Sequence, residues 1–283
     1  MSTDSSDDSK SNSQYNFIQI SHDKLDSYND IVKDFELKLD QSYSLGDDSF
    51  TIDHGSAYFD FFKRLGKISY FLILHNHYIV GTGCAILRTN ADVNTSCWYL
   101  CDLKILPSHR GKSLPELLFM KMMIKCVQKS SKGYLVTMDK TDKKANPVIK
   151  LFTKIKDTIF QSIKFTTLQI YQVNVKQMLK LHSILEEQWM EISYLSLNGT
   201  KDLVLKSTNK PLNLYHLQHG PFASNGVLLT DLPSDADIMF CCTETNKLVS
   251  LIRLIGIETS VTATVIHLLN DEFNLNWILT SDI

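Results

Sequence analysis

The stretch that most restricts what this chain can fold into runs from Tyr99 to Met120: Tyr-Leu-Cys-Asp-Leu-Lys-Ile-Leu-Pro-Ser-His-Arg-Gly-Lys-Ser-Leu-Pro-Glu-Leu-Leu-Phe-Met. Leu100, Leu103, Ile105 and Leu106 make an apolar run of strand length, suited to a sheet covered on both faces. Pro107 has no N–H for a ladder, so the strand should end there. Gly111 is the turn residue that accepts any backbone conformation. Ser113-Leu-Pro-Glu116 has capping-box spacing, with Ser113 as N-cap and Glu116 reaching back. Pro115 fits the first helical turn, where an N–H has no internal partner anyway. Leu114, Leu117, Leu118, Ile124 and Val127 share one stripe, and Lys121, Lys125, Gln128 and Lys132 the opposite one. Tyr134–Met138 then reads as a second strand, parallel to the first through a right-handed crossover. A tight turn between a buried strand and a helix start leaves amides free beside a partial positive charge, which suits a phosphate.

Composition narrows the function. The chain has 283 residues and a formal charge of −2, so nucleic acid is not an expected partner. No apolar run approaches the ~18 residues of a membrane helix, and no membrane association is expected. The N-terminus, Met1-Ser-Thr-Asp-Ser-Ser-Asp-Asp, is polar and acidic, the opposite of a signal or transit peptide. Six cysteines (84, 97, 101, 126, 241 and 242) include no Cys-x-x-Cys. Buried thiols in a reducing, cytoplasmic setting are the simplest reading, and no metal is expected. Cys97 and Cys101 would share a strand face but lack a second ligand pair.

Along the chain, residues 1–14 are Ser/Asp-rich and expected to be a disordered acidic tail. Phe17–Ile20 is a strand, and Ser21 or Asp23 caps a helix to about Leu39. Residues 47–55 read as a loop. Ser56 caps a second helix with an aromatic face of Tyr58, Phe59, Phe61, Phe62 and Leu65, either core or pocket wall, closed by Gly66. Ile68–Leu74 and Tyr78–Leu87 form a hairpin around His75-Asn-His77, and Gly81 and Gly83 mark a bulge or a close approach. Asn146-Pro147 opens another helix, and Phe165–Val173 is a strand. From Asn174 the pattern changes to a helix over 175–189, then β-like runs at 203–205, 212–217, 238–242, 248–257, 263–268 and 277–280. Residues 176–283 thus form a mixed α/β module that extends the first sheet, stands alone, or is a degenerate second copy. His216 and His219 would lie on opposite faces of a strand, which favours structural histidines over metal ligands.

The turn Pro107-Ser-His-Arg-Gly-Lys-Ser113, with Leu117-Leu118 behind it, resembles motif A of the GNAT (Gcn5-related N-acetyltransferase) superfamily. That family writes Gln/Arg-x-x-Gly-x-Gly/Ala across the turn. Here the frame is Ser108-His-Arg-Gly-Lys-Ser113, with serine for the second glycine and Pro115 for a later one. The resemblance spans about residues 15–175. It implies an α/β (α+β) fold: a mixed, mostly antiparallel central sheet with a splayed parallel pair, carrying the C-terminal β-rich α/β module as an addition.

It also implies a GNAT-type N-acetyltransferase that uses acetyl-CoA as co-substrate and needs no metal. Backbone amides of Arg110, Gly111, Lys112 and Ser113 would hold the pyrophosphate, and an amide at Leu103 or Ile105 the thioester oxygen. Asn146 stands where the family has an asparagine ahead of the next helix and is counted with the cofactor-binding residues. The family tyrosine that protonates the CoA thiolate is replaced by Phe152. Cys101-Asp102-Leu103-Lys104-Ile105 matches the family's Glu-Asp-Leu/Phe-x-Val. Asp102 is therefore either the catalytic base or amine anchor, or a strand carboxylate paired with Lys104 or His109. Tyr99 is a candidate acid. The acceptor would be a small-molecule or peptide amine, and the C-terminal module could take a protein partner. The alternative is a divergent GNAT-fold binding or scaffold protein with little or no turnover.

Overall fold

The computed structural model describes residues 14–39, 41–90, 95–139, 146–158, 162–268 and 278–283. Residues 1–13 of the expected tail and Trp277 lie outside them; the strand expected over 277–280 does not form at 278–280, which are irregular and end in a turn. In chain order the elements are β1 (Tyr15–Ser21), a 3-10 stretch (His22–Tyr28), α1 (Asn29–Glu36), β2 (Tyr43–Leu45), β3 (Asp48–Asp53), α2 (Asp60–Leu65), β4 (Lys67–His75), β5 (Tyr78–Asn90), β6 (Thr95–Ile105), α3 (Leu114–Cys126), β7 (Gly133–Met138), α4 (Pro147–Thr158) and β8 (Lys164–Asn174). After these come α5 (Val175–Trp189), β9 (Ile192–Ser196), β10 (Asp202–Leu205), β11 (Lys210–Pro211), β12 (Leu214–His219), β13 (Asp237–Thr243), α6 (Lys247–Leu254) and β14 (Val261–Leu268).

Ten strands form one sheet in the order β1-β4-β5-β6-β7-β14-β8-β13-β12-β9. The C-terminal module therefore extends the first sheet. Its last strand, β14, inserts between β7 and β8 and is antiparallel to both. The centre of the sheet consequently reads as a pseudo-twofold. β14 and β8 exchange across the axis, β7 corresponds to β13, and the parallel pair β6–β7 corresponds to the parallel pair β12–β13. Each half lends a strand to the other.

Alternating side chains sort onto two faces. One face carries the core that α3 and α4 cover in the first half, with Leu118, Phe119, Phe152 and Ile155. In the second half α5 and α6 cover it through Met178, Leu181, Leu248 and Ile252. The other face carries Tyr58, Phe61, Tyr70, Tyr99, Tyr134, Met239 and Ile278. A small four-stranded sheet, β11-β10-β3-β2, draws its strands from both halves.

Several sequence expectations are corrected. Ile124 and Val127, expected on the buried stripe of α3, are exposed, and Phe119, Met122, Met123 and Cys126 turn inward beside Leu114 and Leu118. The helix expected to be capped by Ser56 begins only at Asp60, with Phe59 at its N-cap. Residues 47–55 are mostly strand: β2 and β3 form a hairpin around Gly46 (φ 57°), and β3 is held by β10, a partner far along the chain. Residues 248–257 are mostly helix. Asn246 caps α6 by accepting the Leu248 N–H at 3.0 Å. The apolar residues there occupy both faces, Leu248 and Ile252 inward and Leu251 and Leu254 outward, which hid the helical period. The capping box at Ser113 does not form: Ser113 is left-handed (φ 53°, ψ 21°) and its side chain makes no cap bond. Glu116 lies 3.9 Å from Lys154.

Candidate functional site

The parallel ladder between β6 and β7 has three rungs, Trp98↔Gly133, Tyr99↔Tyr134 and Leu100↔Leu135. Beyond Leu100 the strands part. β7 stays paired with β14 as far as Met138, and β6 stays with β5 as far as Ile105. Among the described residues no hydrogen bond bridges β6 and β7 past this fork. Exposure changes at the same point: Leu100 and Leu135 are buried, whereas Cys101, Leu103, Val136, Thr137 and Met138 are half-buried. This is the expected splay.

A bulge bends β6 at the fork. Its register against β5 shifts between Thr82 and Cys84, and Asp102 takes a φ of 55°. An inserted residue in a strand adds local twist and frees its neighbours from the ladder. Thr82 Oγ1 donates to the Asp102 carbonyl at 3.0 Å and fixes the distortion. The glycines at 81 and 83 are explained by close packing. A Cβ at Gly81 would lie 2.6 Å from Ile105 Cδ1, and one at Gly83 2.6 Å from Leu118 Cδ2.

The turn after β6 contains a short 3-10 segment, Pro107–His109, before α3 begins. The His109 N–H donates to the Leu106 carbonyl at 2.9 Å and the Arg110 N–H to the Pro107 carbonyl at 3.3 Å, so Arg110's amide is used within the turn. The amides of Gly111, Lys112 and Ser113 have no acceptor among the described residues, and all three residues are exposed. Gly111 (φ 78°) and Ser113 (φ 53°) are both left-handed, a backbone arrangement that turns successive N–H groups toward one side. Arg110 Nε donates to the Ile105 carbonyl at 3.2 Å, at the strand end. Lys112 Nζ donates to Tyr15 Oη at 3.0 Å, and the same oxygen lies 3.0 Å from His109 Nδ1. Tyr15 thus pins the turn to β1.

Asp102 sits in a buried polar cluster. It accepts from Tyr58 Oη at 2.9 Å and from Tyr70 Oη, and pairs with Lys104 Nζ at 2.6 Å. Lys104 also meets Glu36 and donates to Tyr58 Oη at 3.0 Å. Burial opposes the Lys104 ammonium, but the two carboxylates outweigh it and hold its pKa above the ordinary value. Burial and then Asp102 push the Tyr58 and Tyr70 hydroxyls far up. Burial also raises Glu36, against the pull of Lys104. The Asp102 side chain is only 4% exposed. Of the two roles read from sequence, the structure shows the pairing with Lys104, while His109 goes to Tyr15.

Tyr99 is buried and stacks on Tyr134 with centroids 4.9 Å apart. Burial and the neighbouring Cys101 and Tyr134 hold its hydroxyl protonated well above the usual range. Asn146 is committed within the protein. Its Nδ2 donates to Thr137 Oγ1 and the Met138 carbonyl, each at 2.9 Å, and its Oδ1 accepts the Val148 N–H at 2.9 Å. It joins the far side of the fork to α4, and its side-chain amide has no spare N–H for a ligand. Phe152 is buried edge-on against Phe119 at 4.9 Å, and Thr153 Oγ1 donates to Ile149 O at 2.9 Å.

Sequence reasoning did not single out Glu36, Tyr70, His54 or Lys201. The available signal was tyrosine rather than phenylalanine at 58 and 70, because a buried hydroxyl needs a partner. Lys201 is 5% exposed and lies 4.4 Å above the Phe61 ring. Burial, helped by Arg64, lowers its pKa to about 7. Burial lowers His54 to about 4. His216 and His219 do face opposite ways: His216 Nδ1 lies 3.1 Å from Thr280 Oγ1, and His219 stacks on Trp189 at 4.4 Å.

The geometry can be set beside known proteins. No protein-family model matches the chain. An uncharacterized protein of Acanthamoeba polyphaga mimivirus is 25% identical over 94% of this chain and 80% of its own length. Among solved structures, a tandem GNAT protein from the clavulanic acid biosynthesis pathway covers 92% of this chain and all of its own, at a TM-score of 0.50 and 9% identity. The likeness to this tandem protein is one of fold. A single acetyltransferase of the GNAT family from Staphylococcus aureus Mu50 aligns with 53% of this chain and 84% of its own length, at 19% identity and a TM-score of 0.34. The tandem comparison agrees with the pseudo-twofold seen in the sheet.

Proposed function

We propose that this protein is an acyl-CoA-dependent N-acyltransferase, with acetyl-CoA as donor and a small-molecule or peptide amine as acceptor. The observation that carries the reading is the coincidence at one end of β6 of a forked parallel pair, a bulge, and three free amides at a left-handed turn. The amides of Gly111, Lys112 and Ser113 would bind the diphosphate, with Arg110 and Lys112 adding charge. The acyl-bearing arm would run through the fork beside Leu103 and Ile105, its thioester oxygen on a β6 amide. In the transfer, the amine nitrogen bonds to the thioester carbonyl carbon, the C–S bond breaks, and the CoA thiolate takes up the proton that the amine gives up.

The fork determines which protein groups can serve. Asp102 is enclosed and neutralised by Lys104, so it acts as a positioning residue that holds the bulge. Glu36, half-buried with its pKa raised, is better placed to accept a proton. Tyr99 stays protonated and is the candidate acid. We place the transferase half in residues 15–175, and a reducing compartment such as the cytoplasm suits its free thiols.

A second reading, a GNAT-fold protein that binds acyl-CoA without turning it over, is favoured by Phe152 at the family's tyrosine position. Thermal-shift titration with acetyl-CoA and CoA tests binding, because a ligand at one hundred times its Kd adds about 2.7 kcal/mol to stability. Thiol release with a panel of amines then separates the readings: turnover supports the enzyme, and binding without thiol release supports the second. No shift at millimolar ligand removes both.

A further inference from the structure

The second half repeats the fork. β12 and β13 run parallel for three rungs, Leu214↔Asp237, Tyr215↔Ile238 and His216↔Met239, and then part. The connection out of the fork differs between the halves. β12 leads into 3-10 stretches at Gly220–Asn225 and Leu229–Asp231 where the first half has α3, and the Gly220 N–H is taken by the Glu191 carbonyl at 3.2 Å. The chain itself enters the gap. Thr280 Oγ1 donates to the Met239 carbonyl at 3.0 Å, at the last rung, and the His216 ring lies 3.1 Å from the same hydroxyl. The Cys241 thiol donates to the Ile278 carbonyl at 3.5 Å, and Gln218 Nε2 donates to Ser281 Oγ at 3.1 Å. Asp282 closes the segment by pairing with Arg88 at 2.7 Å and Arg64 at 3.4 Å. Ile278, Leu279, Thr280, Ser281 and Asp282 are each at most 3% exposed.

Residues 278–282 therefore bond both strands of the fork and stand where the pseudo-twofold would put an acyl-bearing arm. We propose that this segment is a built-in plug, sealing the second fork in cis, so that each chain carries a single acyl-CoA cleft. The statement about acyl-CoA rests on the function proposed above; the plug itself does not. The second half then serves the first structurally. It supplies β14 to the sheet, and through Asp282 it holds Arg88, which donates to Tyr134 Oη at 2.6 Å on the last rungs before the first fork.

The test is thiol labelling of the native full-length protein with N-ethylmaleimide, read residue by residue by mass spectrometry. Cys241 lies behind the plug and should react at least about tenfold more slowly than half-exposed Cys101. Asp282→Ala should speed Cys241 by roughly tenfold or more and leave Cys126, the buried last residue of α3, unchanged. If that variant does not fold, Thr280→Val keeps the volume, loses both fork contacts, and should move Cys241 in the same direction. Equal rates at Cys241 and Cys101 in the wild type, or variants that leave Cys241 unmoved, overturn the plug. A calorimetric titration with acetyl-CoA is the second arm. One site per chain is expected, and two sites overturn the inference. Zero sites with Cys241 still protected removes the transferase reading and leaves the plug standing.

Discussion

In the first half of the sheet, β6 and β7 part after Leu100 and Leu135, and the chain then turns through Gly111–Ser113 with three amides that find no acceptor among the described residues. In the second half, β12 and β13 part after His216 and Met239, and residues 278–282 close the gap. The ladders are alike to the number of rungs. The difference teaches that a forked parallel pair is a scaffold, and that the connection leaving it decides whether it becomes a site. A left-handed turn into a full helix yields free donors and a dipole. In the second half the connection is 3-10 rather than a full helix, and the Gly220 amide is taken by Glu191. The polar content differs as well. The first fork adjoins a cluster with two carboxylates and one lysine, whereas the second is filled by hydroxyl, amide and thiol contacts.

The largest effect that sharpens this comparison is on stability. Asp282→Ala leaves Arg88, a buried guanidinium, without its carboxylate and should cost about 3–5 kcal/mol in urea unfolding. Asp102→Ala should cost less, about 2–3 kcal/mol, because Lys104 keeps Glu36. Equal costs would mean that the plug's clamp is no stronger than the bulge cluster.

Next comes pH. Lys201 titrates near 7 in the folded chain and near 10.5 when unfolded, so the unfolded state binds the extra proton between those values. This group therefore makes stability rise with pH from about 7 to 10.5, and the contribution is absent at lower pH. Lys201→Met should flatten that slope and raise Tm at pH 7 by several degrees, on the order of 1–3 kcal/mol. An unchanged slope contradicts the burial described for this amine. On the acid side, His54 and His219 titrate near 4 in the fold against 6.5 unfolded. Stability should fall as pH drops from about 6.5 to 4, one proton for each ring. His219→Gln should remove its share, seen as a shallower Tm profile.

The smallest effect is electrostatic. Glu116 places an anion in the first turn of α3, beside the free amides, with Lys154 at 3.9 Å. Glu116→Gln should tighten acetyl-CoA binding by about two- to fivefold at low salt, fading as salt rises. Weaker binding would mean that the diphosphate does not lie at this turn.

The first fork was legible in the sequence because its signals are local. Pro107 stops a strand, Gly111 opens a turn, and Leu114 and Leu118 bury a helix face. The hairpin at Asn76-His77 was legible for the same reason, and both residues adopt left-handed φ values of 49° and 69°. The errors have different causes. β2–β3 reads as a loop until β10 arrives to pair with it. α6 exposes Leu251 and Leu254, so its apolar residues mark no single face. At Asp102 the residue types gave both roles, and the pairing with Tyr58, Tyr70 and Lys104 becomes visible only once the bulge is in place. Strand exchange was not legible at all, because β14 carries the alternation of an ordinary strand and nothing in it names β7 as its neighbour.

The central claim, that the Gly111–Ser113 turn and the fork beside it hold the acyl-CoA diphosphate, is tested most directly by two matched glycine variants. Gly111 (φ 78°) and Gly220 (φ 55°) are both left-handed with open space where a Cβ would stand, so Gly111→Val and Gly220→Val should strain the backbone by similar amounts, about 1–2 kcal/mol. In isothermal titration with acetyl-CoA, Gly111→Val should weaken binding by about tenfold or more while Gly220→Val matches the wild type. Equal affinity in all three proteins, or a loss confined to Gly220→Val, would contradict the claim.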